Sequence, residues 1–220
     1  MSLKEIKDIL KPIEQKACEA PQTDRSEKDF YNWFASYAVR ELMKEAQKKG
    51  EPFKPYDITP RKYGLMIKEI VKLFYIHPNY NRFLVIAGQH GSGKTFHMKV
   101  LSQFLAKWNQ DNFFKPINEH KLLEEVEQGG RNALNMYSMT KLCINDYGKN
   151  NPVIKWFGNE INILQELIYK RYEDRGLCTY FTTNLKTKEE FLATLDERLK
   201  QRVEPKLDFM YLTGRNFRKD

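Results

Sequence analysis

The segment Gly88-Gln89-His90-Gly91-Ser92-Gly93-Lys94-Thr95 sets a lysine and a hydroxyl directly behind three spaced glycines. The spacing GxxxxGK[ST] suits one chemistry, the grip on a chain of phosphates. Gly88, Gly91 and Gly93 let the backbone curl, so that N–H groups along Gln89, His90 and Ser92 point inward at phosphate oxygens. A helix opening at Lys94 aims its positive dipole end at the same anion. Lys94 supplies a point charge for the outer phosphates and the Thr95 hydroxyl a ligand for Mg²⁺, with Phe96 next in the first turn.

A carboxylate at the tip of a neighbouring strand is needed to hold the shell of that Mg²⁺. Leu142-Cys143-Ile144-Asn145-Asp146-Tyr147-Gly148 is the candidate. In one register Asp146 is the metal-side acid and Tyr147 stands where a catalytic glutamate is expected. In the other, Asn145 takes the metal-side place and Asp146 activates water, and Gly148 favours this second alignment. Either way one of two expected carboxylates is missing. Asn145 can hold a metal-bound water but brings no charge, so weakened Mg²⁺·ATP binding and slow hydrolysis are expected. Glu160 lies downstream as a possible substitute.

Three further polar groups suit a nucleotide site. Asn184 ends the run Thr179-Tyr180-Phe181-Thr182-Thr183-Asn184, where an amide can orient the attacking water; equally, it can simply begin a turn. Arg198 and Arg202 stand four apart on one helix face. One of them can reach a neighbouring subunit's γ-phosphate, or both can lie on a solvated face beside Glu197 and Glu204. Arg218, after Leu212-Thr213-Gly214, is another candidate for the nucleotide.

The elements that must carry these groups follow from periodicity. Residues 2–17 read as a short amphipathic helix and 26–49 as a second one. The second has an aromatic stripe (Phe30, Trp33, Phe34, Tyr37) that suits either packing within the chain or a partner's groove. Thr59-Pro60 opens a helix that runs to about Tyr75. Strand and helix then alternate: strand 82–87, helix 94–108, strand 114–117, helix 120–128, strand 141–146, helix 160–175, strand 178–183, helix 189–203 and strand 209–212. Such alternation predicts a parallel sheet covered on both faces.

Composition narrows the class. The chain has 220 residues and is 41% hydrophobic and 13% aromatic, enough for a core. It has no apolar run near the ~20 residues of a membrane span. Three cysteines without metal-ligand spacing read as reduced thiols, and a cytoplasmic location is expected. The net charge of +8 falls wholly after residue 58: residues 1–58 hold 11 basic and 11 acidic groups, residues 59–220 hold 26 and 18. That surface suits a polyanion such as nucleic acid, although a mildly basic face is also common on proteins that bind none.

Taken together, GQHGSGKT, LCINDYG, ELIYKRYEDRG, YFTTNL, DERLKQRV and LTGRNFR resemble the AAA+ family of DnaC-like replicative helicase loaders, in the short form found in plasmids, phages and mobile elements. The likeness covers roughly residues 60–218. It implies an α/β P-loop NTPase sheet sandwiched by helices over residues 59–220. A small helical partner-binding segment precedes it at 1–58, and no full C-terminal lid follows. It also implies ATP and Mg²⁺ as cofactors, with Gly88–Phe96 on the phosphates and Thr95, Asn145 and Asp146 at the metal. Asp146, Asn184 and Arg202 (or Arg198) would be catalytic, and Arg218 would be a sensor-like contact. The implied partners are a replicative ring helicase, single-stranded DNA and further copies of the chain joined through the arginine finger. Close alternatives are an ATPase regulating transposition of the IstB type and an ATP-binding scaffold that does not hydrolyse. A small-molecule kinase would need an arginine-rich lid after the third strand, where YFTTNL and a short helix stand instead.

Overall fold

A computed structural model describes residues 27–48, 82–108, 113–149, 152–156, 159–174 and 177–212. The expected helices over 2–17 and 59–75, the boundary at 58/59 and Arg218 lie outside these residues.

The main unit gathers Asn79–Ser102 and Asn112–Asp220. Its strands are β1 (Phe83–Gly88), β2 (Lys115–Asn118), β3 (Leu142–Tyr147), β6 (Thr179–Thr183) and β7 (Leu207–Leu212), in the order β2-β3-β6-β1-β7. All neighbours are parallel. The expected parallel α/β sheet is therefore present. Every residue of β1 is buried, as a central strand covered on both faces requires.

Helices supply the crossovers: α2 (Lys94–Trp108), α3 (Glu119–Met139), α4 (Ile163–Asp174), α5 (Lys188–Leu192) and α6 (Glu197–Val203). Phe83, Val85, Ala87, Ile117, Leu142, Ile144 and Phe181 form one sheet face. They pack on Leu122, Val126, Leu164, Leu167, Phe191, Leu199 and Val203 of these helices. The other face, with Leu84, Ile86, Cys143 and Tyr180, is buried too.

Four elements depart from the periodicity. Helix α3 runs on to Met139 instead of stopping near 128, because a kink at Gly130 (φ 58°) lets a second helical stretch follow. The segment expected to open the next helix is instead strand β5 (Asn159–Asn162), paired antiparallel with β4 (Val153–Trp156) in a hairpin of its own. Helix 189–203 is two helices: Ala193 and Thr194 form a turn, and the Asp196 side chain caps α6 by accepting from Leu199 N–H. The last strand starts at Leu207, two residues early.

A second unit holds Met1–Pro78 and Gln103–Asp111. Its described part is α1 (Glu27–Lys48) and the end of α2. Phe34 and Tyr37 are buried, with ring centroids 5.4 and 5.9 Å from that of Phe104. At these two positions the aromatic stripe packs within the chain.

Candidate nucleotide site

The loop between β1 and α2 is built around Lys94. Its side chain is buried, and its Nζ donates to the carbonyls of Gly88 (2.7 Å) and Gln89 (2.9 Å). The same ammonium donates to Asn184 Oδ1 at 3.0 Å. Asn184 follows β6, and β6 lies directly beside β1 in the sheet. Strand order, which the sequence does not state, thus brings two residues ninety positions apart into contact.

Gly91 and Gly93 both sit at φ 83°, the left-handed region where a side chain is strained. Gly88, at φ 152°, has a second reason to be glycine: a Cβ there would lie 2.7 Å from the Leu212 carbonyl of β7. In the first turn of α2, His97 is buried and its Nδ1 donates to the Gly93 carbonyl at 2.6 Å. Burial pulls its pKa down to about 4, so the ring is neutral at ordinary pH. Gln89, His90 and Thr95 are exposed at the loop surface, and Phe96 is half-buried with its ring edge-on to His97.

The acidic strand ends in a bulge. Ile144 pairs with Phe181 and Tyr147 with Thr183, so Asn145 and Asp146 together face the single residue Thr182. The Thr182 hydroxyl closes this bulge, donating to Asn145 Oδ1 (3.1 Å) and accepting from Asp146 N–H (3.1 Å). Asp146 lies at φ 62°, a conformation that aspartate tolerates better than most residues. Its carboxylate accepts from Lys149 Nζ (2.8 Å) and Asn118 Nδ2 (3.3 Å).

Asn145, by contrast, is buried, on the sheet face shared with Cys143 and Thr182. Tyr147 is buried on the opposite face, against the rings of Phe181 and Phe191, both at 5.1 Å. Its hydroxyl bonds to Thr194 Oγ1 (2.8 Å), and burial raises its pKa to about 12. Tyr147 is a core residue, which leaves Asn145 and Asp146 as the polar pair at this tip.

Arg198 and Arg202 do share a face, and it lies on α4. Their guanidinium carbons stand 5.2 and 4.8 Å from the Tyr169 ring centroid, and Arg202 pairs with Glu173 at 3.1 Å. Within one copy, these two arginines are held on tyrosines and do not bond to the loop.

Two side chains here had no signal of their own in the sequence. Thr182 reads as an ordinary strand residue until β6 is known to lie beside β3. Glu119 is completely buried and accepts from Gly148 N–H at 2.5 Å. The sign that was available is the unusual burial of a carboxylate on a strand-to-helix corner, and only the fold reveals burial.

No family model matches the sequence, and no curated protein does. Solved structures do match. A candidate primosome component of Streptococcus pyogenes serotype M3 aligns over 73% of this chain and 84% of its own, at 17% identity and TM-score 0.53. That likeness supports the fold. A DNA replication initiation factor aligns over 70% of this chain and 47% of its own, at 13% identity and TM-score 0.45, a likeness too slight to argue from.

Proposed function

We propose that this chain binds Mg²⁺·ATP in the AAA+ manner and acts in DNA replication as a loader of a ring helicase onto single-stranded DNA. The observation that carries the nucleotide reading is the buried ammonium of Lys94, coiled inside a loop with two left-handed glycines and hydrogen-bonded to Asn184 just past the adjacent strand. Carbonyl and amide oxygens keep this ammonium charged inside the loop, and phosphate oxygens can take their place. The loop residues fit a triphosphate: backbone N–H groups and Lys94 would hold the phosphates, with the exposed Thr95 hydroxyl and the Asn145/Asp146 tip on the metal side. Bound magnesium would supply charge neutralisation at the outer phosphates. Asp146 is the base or water-orienting group, and Asn184 orients the same water.

The role in replication rests on the motif series and gains support from the fold shared with a candidate primosome component. Self-association through Arg202 or Arg198, contact with a ring helicase and a cytoplasmic location belong to the same proposal. Among the described residues, no helix is long and apolar enough to cross a membrane. The uncharged Asn145 favours a second reading, an ATP-bound scaffold with little turnover.

The test is direct. The full-length protein should bind a fluorescent ATP analogue with Mg²⁺, and Lys94→Ala should abolish that binding. Affinity capture with ATP from host lysate should bring down a ring helicase. Recovery of a transposase in its place would move the assignment to transposition control. Absence of nucleotide binding by the unaltered protein would end both readings.

A further inference from the structure

We propose that Glu119 is a positioning residue for Asp146, acting through the backbone of the 146–148 turn; this rests on the ATPase reading above. Glu119 is the only buried carboxylate among the described residues. It opens α3 on the strand next to β3, just after Asn118, whose own side chain caps the helix by accepting from His120 N–H. A carboxylate in the first turn of a helix is stabilised by the free N–H groups there, which lowers the cost of burying it.

What Glu119 holds is the least comfortable backbone of the acidic strand. Asp146 sits at φ 62° and Gly148 at φ 85°, on either side of Tyr147. Such a turn persists only when its surroundings fix it from several sides. Thr182 fixes Asp146 N–H, Thr183 Oγ1 donates to the Tyr147 carbonyl (2.8 Å), and Glu119 takes Gly148 N–H at 2.5 Å. The first two clasps come from β6, on one side of β3. Glu119 is the clasp on the backbone from the β2 side, where the exposed Asn118 amide also donates to the Asp146 carboxylate at 3.3 Å. A charge-assisted bond of this kind is about twice as strong as a neutral one. Without it the backbone of the turn is held from the β6 side only, and the Asp146 carboxylate, though still reached by Asn118 and Lys149, stands on a main chain free to shift.

The consequence is specific. The bond Glu119 makes is to the acidic-strand turn, so its removal should leave nucleotide affinity intact while lowering turnover. Misplacing a catalytic group by about 1 Å can cost roughly 100-fold in rate. Glutamine keeps an oxygen able to accept from Gly148 N–H, whereas alanine does not.

The experiment compares full-length wild type, Glu119→Ala and Glu119→Gln by two readouts: steady-state ATPase with nucleotide affinity, and amide hydrogen exchange at residues 145–148. Glu119→Ala should lower kcat roughly 10- to 100-fold with Kd for Mg²⁺·ATP within about twofold. It should also speed Gly148 exchange at least tenfold, and Glu119→Gln should recover most of both. Unchanged Gly148 exchange in Glu119→Ala overturns the proposal, as does a Gln variant no better than Ala. Joint loss of Kd and kcat overturns it too, because it would mark general unfolding. A wild type that binds ATP and never turns it over, with or without single-stranded DNA, removes the catalytic half. A wild type that binds no nucleotide refutes the ATPase reading instead, and the Gly148 exchange rate still decides what Glu119 does to the turn.

Discussion

Replacing Asn145 by aspartate tests the electrostatics of the acidic tip with two effects of opposite sign. The amide is buried and its oxygen accepts one hydroxyl, from Thr182 at 3.1 Å. Aspartate has the same shape and keeps that acceptor, but without a bound cation it carries a charge into a poorly solvated place. That costs about 2 kcal/mol in the ligand-free protein and raises the new carboxyl's pKa. A domain of this size should then melt roughly 4–8 °C lower. Because the folded-state pKa is raised, the loss is absent below the unfolded carboxyl's pKa of about 4 and grows as pH climbs through the folded value.

With nucleotide, a divalent cation about 5 Å from the new charge contributes between about 2 and 7 kcal/mol, for effective dielectric constants of 80 and 20. The burial cost is already present in the ligand-free protein, so the attraction goes wholly into affinity: Mg²⁺·ATP should bind about tenfold tighter or more, and turnover should rise. Thermal melts with and without Mg²⁺·ATP, titration of a fluorescent nucleotide and a phosphate-release assay read all three quantities. A variant with lowered melting temperature and unchanged affinity and rate would refute the placement of Asn145 at the metal side. An unchanged melting temperature would refute the claim that its site is poorly solvated.

Other outcomes follow from single contacts. Gly88→Ala puts a methyl carbon 2.7 Å from the Leu212 carbonyl, so the end of β7 must shift; chemical denaturation should show a loss of about 1–3 kcal/mol together with weaker nucleotide binding. His97 is neutral in the fold with its pKa pulled to about 4 by burial, while the unfolded chain binds that proton near pH 6.5. Its contribution is therefore fully present above about pH 6.5 and is lost as pH falls toward 4, by about 3 kcal/mol, and His97→Asn should flatten that stretch of the stability–pH curve. Arg171 is wholly buried and donates to the carbonyls of Tyr137, Thr140 and Cys178 and to the Thr179 hydroxyl. Burial lowers its own pKa to about 10, which offsets part of what those bonds contribute. Arg171→Met should still destabilise by about 3 kcal/mol in urea unfolding, because it strands the acceptors at the end of α3.

The loop between β1 and α2 was legible because its pattern is local. Three glycines, a lysine and a threonine fall within eight residues, and the strand and helix flanking them are set by short-range periodicity. The alternation of strands and helices was legible for the same reason and yielded the parallel sheet. The β4–β5 hairpin was not, since Ile161 fits the face of the helix that follows just as well as it fits a strand. Nor was the break at Ala193–Asp196, where a short turn and a new cap interrupt an otherwise continuous helical pattern.

The sequence alone determined that three glycines, a lysine and a threonine stand together between a strand and a helix, and that Asn145 stands beside Asp146 at a strand end. Tertiary structure decided who meets whom. Placing β6 between β1 and β3 brings Asn184 to Lys94 and Thr182 to the Asn145–Asp146 bulge, and it turns Tyr147 into the core. Placing β2 beside β3 buries Glu119 against Gly148. Those pairings depend on strand order and register, which arise from the burial of whole sheet faces and leave no mark in the spacing of any single segment.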